Sequence, residues 1–167
     1  HEILQRMAPT LRPGELAEAE TELLTALGWL ETGIVRAGIL HWLAGRYLVH
    51  AEADTGMAVM VLADSARAMW SEAASIAGGG SIGASATFRL AEALENAAFA
   101  GARDSAASLY KKLVDTDSEG RWGSLAGLRL GAIHLAQERQ FLAYRTISLW
   151  GERHPYAVED IRYRMSL

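Results

Sequence analysis

The sequence predicts an all-α protein of antiparallel helical hairpins, about eight helices in a single domain over residues 1–167. Three observations predict it. Alanine and leucine make up close to a third of the chain, and both enter a helix at little entropic cost. Val, Ile and Thr, which suit pleated surfaces, are sparse, and no run alternates apolar with polar residues in the manner of a strand. Glycine and proline fall at helix-length intervals, with short polar stretches between them.

Pro13 and Gly14 open the first helix, and Glu15 and Glu18 suit the positive end of its macrodipole. It is expected to run to about Leu30, with Leu16, Ala19, Leu23, Ala26, Leu27 and Leu30 on one stripe. Gly33 restarts the chain for a second helix, about 34–51, and Asp54 or Thr55 can cap a third, about 56–77. A glycine-rich stretch, 78–84, then breaks the chain, and a fourth helix is expected over 85–100. Gly101 ends that helix, and a fifth follows over 103–115. The polar turn 116–120 leads to a sixth helix over 122–137 and a seventh over 140–153, and Pro155 marks the entry to a last one. Such short connections make hairpins of neighbouring helices.

Charge and composition exclude several classes. The net charge of −4 and the pI near 5.7 argue against a nucleic-acid surface, which needs a basic patch. The arginines from Arg145 to Arg164 are interleaved with Glu152, Glu159 and Asp160, as on a solvated helix face. The longest apolar runs, such as Met57 to Ala63, fall far short of the roughly 20 residues that span a bilayer, so no membrane insertion by this segment is expected. The chain has no cysteine, which removes disulfides, thiolate catalysis and cysteine–zinc sites and is compatible with cytoplasm or bacterial periplasm. It begins with His1, as a processed chain or an excised domain would.

Three motifs invite chemistry. Gly78-x-Gly80-x-x-Gly83 spells a dinucleotide fingerprint, but that fingerprint works between a strand and a helix, and residues 69–77 are helical in composition. Gly79-x-Ser81-x-Gly83 spells a nucleophile elbow, with Asp104 and His134 following in the order of a serine hydrolase, yet the elbow too needs a sheet. His50-x-Glu52-x-Asp54 could set two metal ligands on one helical face, but no third ligand is specified. The expectation is no catalytic, metal or cofactor site, and a mobile loop at 77–84. The tryptophans, Trp29, Trp42, Trp70, Trp122 and Trp150, are spread one per region, as packing anchors would be.

The sixth and seventh helices carry a more specific pattern. Leu130-Gly131, His134, Ala143, Ile147 and Pro155 keep the offsets of the tetratricopeptide repeat (W-x2-L-G-x2-Y, then A-x3-F, then Pro), with Gly127 at the tryptophan position and Glu138 at the turn glycine. Gly101 and Ala106-x3-Tyr110 repeat the second half upstream, and Leu43-Ala44-x2-Tyr47 with Gly56-x3-Met60 form a fainter copy. The chain thus resembles a divergent tetratricopeptide-like α-solenoid. The stretch Phe88-Arg-Leu-Ala-Glu-Ala through Tyr110, followed by Ser124 to Leu130, looks like the bacterial envelope group that includes the ancillary subunit of the Sec translocon.

The resemblance implies an N-terminal helix region (1–36), a degenerate hairpin (37–77), a glycine-rich loop (78–84), a hairpin (85–118), the best-matching hairpin (121–155) and a capping helix (156–167). It also implies a non-enzymatic domain that binds another protein or peptide, with self-association within a larger bacterial protein as the alternative. In such arrays the first helix of each hairpin lines a concave groove, which places His41, Leu48, Phe88, Glu95, Phe99, Leu125, Leu128 and Leu135 on the binding face. That face lacks the Lys and Asn set with which similar domains clamp a chaperone's terminal carboxylate. An apolar helix or peptide is therefore the expected ligand, a homo-oligomer is compatible, and the last helix from Pro155 is the competing cover for the face.

Overall fold

The computed structural model of the chain describes residues 13–53, 57–118 and 120–153. They form seven helices and no strand: α1 (Pro13–Leu27), α2 (Ile34–Ala53), α3 (Met57–Ala77), α4 (Ser81–Glu95), α5 (Ala102–Thr116), α6 (Arg121–Ala136) and α7 (Gln140–Arg153). The protein is all-α, as its composition implies. The helix expected after Pro155 and the caps expected at Asp54 and Thr55 lie outside the described residues. None of the described helices is long and apolar enough to cross a membrane.

The chain divides into two compact units, His1–Ala93 and Leu94–Leu167. In the first, α2 is the central element: every residue from Ala37 to Ala44 is buried, so this helix has no solvent stripe there. One side of it, Ala37, Leu40 and Ala44, meets Ala66, Trp70 and Ala73 of α3 and Ala86 and Ala93 of α4. Alanine at most of these positions lets the backbones approach closely, and Trp70 fills the space that remains. The other side, Ile39, Trp42 and Leu43, packs against Leu16, Leu23, Ala26 and Leu27 of α1. Burying a side chain such as Leu43, which is fully enclosed, stabilises the unit by roughly 1.5–3 kcal/mol.

Polar contacts set the antiparallel order. Arg36, near the start of α2, pairs with Glu72, near the end of α3, at 2.7 Å. The same guanidinium donates to the carbonyls of Leu27 (2.9 Å) and Leu30 (2.6 Å), closing the C-terminal end of α1. Glu20 of α1 accepts from Arg46 of α2 at 2.6 Å and faces His50 at 3.2 Å.

Helix α4 begins at Ser81, four residues before the expected start, and ends at Glu95 rather than near Ala100. The glycine-rich loop shrinks to Gly78–Gly80. Gly83 belongs to the first turn of the helix because of close approach: a Cβ there would overlap the carbonyl oxygen of Gly78 and stand 2.9 Å from its carbon. At the far end Asn96, a residue that favours helix termini, stops the helix before the alanine run.

In the second unit α5, α6 and α7 pack as consecutive antiparallel neighbours. A Cβ on Gly131 would lie 2.8 Å from Cγ1 of Ile147, and one on Gly127 would lie 2.6 Å from Cδ1 of Trp150, so the two glycines set the α6–α7 separation. Ala143 is buried at the same seam. Tyr110 of α5 is fully buried, and its hydroxyl donates to Glu95 at 3.0 Å; Arg129 of α6 approaches the same carboxylate at 3.8 Å.

The α6–α7 turn carries the positive-φ non-glycine residue among the described residues. Glu138 has φ 57°, its N–H donates to the Leu135 carbonyl (3.0 Å), and the Arg139 N–H donates to that of His134 (2.9 Å). This is the paired helix-ending arrangement that normally holds glycine. Glu138→Gly should therefore raise stability by about 0.5–1 kcal/mol, the relief of the left-handed Cβ less the extra freedom of the unfolded chain. A chemical-denaturation midpoint unchanged or lowered by Glu138→Gly would contradict it.

Candidate functional site

Of the eight residues expected to line a groove, two are buried and the other six are half-buried or exposed. His41 and Phe88 are buried, at 4% exposure each, and belong to the interior rather than to an open wall. His41 shares a 3.1 Å hydrogen bond with Ser85, also buried. Burial, with a contribution from Arg89, pushes the imidazole down to about 4, so it is neutral near pH 7. Leu48 packs against the α2–α3 core, half-buried. Phe99 stands in the loop between α4 and α5 instead of on a helix, exposed. Glu95 is taken up by Tyr110. Leu125 and Leu128, half-buried, and Leu135, exposed, remain together on one side of α6.

The motif residues Ser81, Asp104, His134 and His50 lie on four different helices. Ser81 is an exposed residue in the first turn of α4, and Gly78-x-Gly80 follows a helix. Asp104 accepts from the side-chain amide of Gln137 at 3.2 Å. The Ser–His pair of the first unit, Ser85 with His41, is enclosed, and an imidazole held near 4 is a weak base at neutral pH. His50 faces Glu20; Asp54 lies outside the described residues.

The second unit encloses a cavity of about 290 Å³ that none of the eight residues lines. It opens between α5 and α7, with the side of α6 that bears Gly123, Gly127, Leu130 and His134 as its floor. That side is one helical stripe, spaced by three or four residues, and it lies well around the helix from Leu125, Leu128 and Leu135. Gly123 and Gly127 hold this floor close to its neighbours: a Cβ on the first would overlap the Asp117 carbonyl, and one on the second would stand 2.6 Å from the Trp150 ring. Val114 of α5 and Leu142, Leu149 and Trp150 of α7 make apolar walls. Leu142 and Leu149 are 40% and 45% exposed, and Phe141 and Tyr144 extend the apolar surface along α7.

Charge sits at the rim. On the α5 side Lys111 pairs with Asp115 at 2.7 Å. On the α7 side Arg145 is exposed and makes no ion pair among the described residues. Within the lining, Nδ1 of His134 is buried without a hydrogen-bond partner. Burial first, and Arg139 second, lower the pKa of this imidazole, so it too is neutral near pH 7. The arrangement suits an apolar group carried next to a carboxylate. Its volume, on the small side for ligand pockets, leaves room for about one large side chain.

The spaced pair Gly123 and Gly127, four residues apart on α6, is the sequence signal for the close packing beside this cavity. Comparison of the chain with protein-family models, with curated proteins and with solved structures finds no match.

Proposed function

We propose that the chain is a non-enzymatic protein-interaction domain that buries an apolar anchor of its partner in the cavity between α5 and α7. The observation that carries this reading is the cavity itself: an open, apolar-walled recess on a helical floor, flanked by exposed Leu142 and Leu149 and by Arg145, which makes no ion pair among the described residues. Exposed apolar surface of this kind costs solubility unless something covers it. The resemblance to tetratricopeptide repeats supports the same class. Gly101 and Glu138, 37 residues apart and equivalent in the repeat reading, both take left-handed backbone, and the small residues Gly131 and Ala143 sit at a helix seam.

An anionic apolar dye, anilinonaphthalene sulfonate, tests the recess directly. The protein should bind it at one saturable site, and Leu149→Glu or Arg145→Glu should weaken binding at least about tenfold without loss of helicity. In pull-downs from cells that produce the protein, a partner held by the wild type should be lost with Leu149→Glu. Retention of both dye and partner by that variant would remove the cavity from the function.

A further inference from the structure

The first unit displays an unusual apolar projection. Trp29, in the turn between α1 and α2, is 83% exposed, and Ile34 (56%) and Val35 (63%) follow it. Most tryptophans of this chain behave otherwise: Trp42, Trp70 and Trp150 are each below 10% exposed. The turn is not loosely held. Arg36 ties the carbonyls of Leu27 and Leu30 to Glu72, and Leu27 and Leu30 themselves pack under the α1–α2 core. The indole is thus presented outward by a fixed backbone, at small ordering cost on binding. Beside it Glu31 is exposed and makes no ion pair among the described residues.

This projection and the cavity match each other. One is a large apolar side chain flanked by the Glu31 carboxylate; the other is an apolar recess of about 290 Å³ flanked by the Arg145 guanidinium, and neither charge is ion-paired among the described residues. We infer that the cavity of one copy of this chain receives Trp29 of a second copy, with Glu31 of the incoming copy against Arg145. The inference rests on the reading of the cavity as a protein-docking site and names its occupant. Each copy carries one projection and one recess, so the contact either closes reciprocally in a two-fold dimer or repeats head to tail. The head-to-tail form leaves a free Trp29 at one end and a free cavity at the other, so it grows until a ring closes. A buried central tryptophan with a charge pair at its rim is the usual composition of an interface hot spot.

Sedimentation velocity over a concentration series of the full chain tests it. Wild-type protein should self-associate as its concentration rises, to a closed dimer or beyond, while Trp29→Ala and Leu149→Glu should each weaken self-association by about 30-fold or more with helicity unchanged. The two variants mixed should form a one-to-one dimer and nothing larger, since each lacks a different half of the contact. Glu31→Arg and Arg145→Glu should each weaken association, and the chain carrying both should recover it. A wild type that stays monomeric, variants that associate as the wild type does, or a mixture that forms no heterodimer would each overturn the inference. The dye separates this from failure of the cavity itself. Trp29→Ala protein, whose cavity is vacant on this account, should bind it and Leu149→Glu should not. If that pattern holds while the wild type is monomeric, self-docking falls and the cavity reading stands; if neither protein binds dye, both fall.

Discussion

Gly83→Ala is expected to destabilise the first unit by about 1–3 kcal/mol and to lower Tm by roughly 5–20 °C. Gly83 lies in the first turn of α4, and the space where a Cβ would stand is filled by the carbonyl of Gly78. Backbone is the obstacle, so no side-chain rotation relieves it. Accommodation requires the turn Gly78–Gly80 to move away, and that turn joins α3 to the helix bearing Ala86 and Ala93, both part of the core. Ser81→Ala, two residues earlier, should stay within about 0.5 kcal/mol of the wild type, because the side chain is exposed and the first helical bond, from the Ala84 N–H to the Gly80 carbonyl, involves backbone alone. Thermal unfolding of the two variants side by side decides whether the glycine pattern serves packing. Tolerance of Gly83→Ala together with a strong effect of Ser81→Ala would reverse the assignment.

The second large effect is one of pH. The buried imidazole of His41 is held at about 4 in the folded protein against 6.5 in an open chain. Between these values the unfolded chain binds a proton that the folded one does not, so stability rises with pH through this window and is level above it. The gap corresponds to about 3 kcal/mol, fully present above pH 6.5 and lost as pH falls toward 4. His41→Gln can keep a hydrogen bond to Ser85 and removes the titration. The difference in urea midpoint between wild type and His41→Gln should therefore shift in favour of the variant as pH drops from 7.5 to 4.5. Comparing the two proteins cancels the carboxylates that titrate in the lower part of the range. Parallel curves for the two proteins would place the acid sensitivity elsewhere.

Helix type and most boundaries are legible in the residues. Gly33 and Gly101 each precede a helix, and Pro13 opens α1, because these residues act on the local backbone whatever surrounds them. The seam at Gly131 and Ala143 is legible for a related reason: small residues at helical spacing imply close approach. What local reading misses depends on distant atoms. Gly83 reads as a helix breaker until the carbonyl beneath it is seen. His41 and Phe88 fall on a plausible groove stripe, yet α2 is buried on both sides and α4 is buried along its first two turns, which no single-helix periodicity announces. The cavity needs three helices at once. Its floor is written in Gly123 and Gly127, but Val114, Leu142 and Leu149 become walls only after the hairpins close.

The helices that pack most closely are neighbours in sequence: α1 with α2, α2 with α3, α5 with α6, and α6 with α7. Each pairing closes over a turn of a few residues, so little chain entropy is lost before contact is rewarded. Topologies of this kind acquire their structure in microseconds to milliseconds. On the ribosome, the α1–α2 pair can close as soon as α2 clears the exit, before α3 has been made. Assembly along the chain thus follows the order of synthesis, and nascent apolar faces such as that of α2 wait only one helix length for their cover.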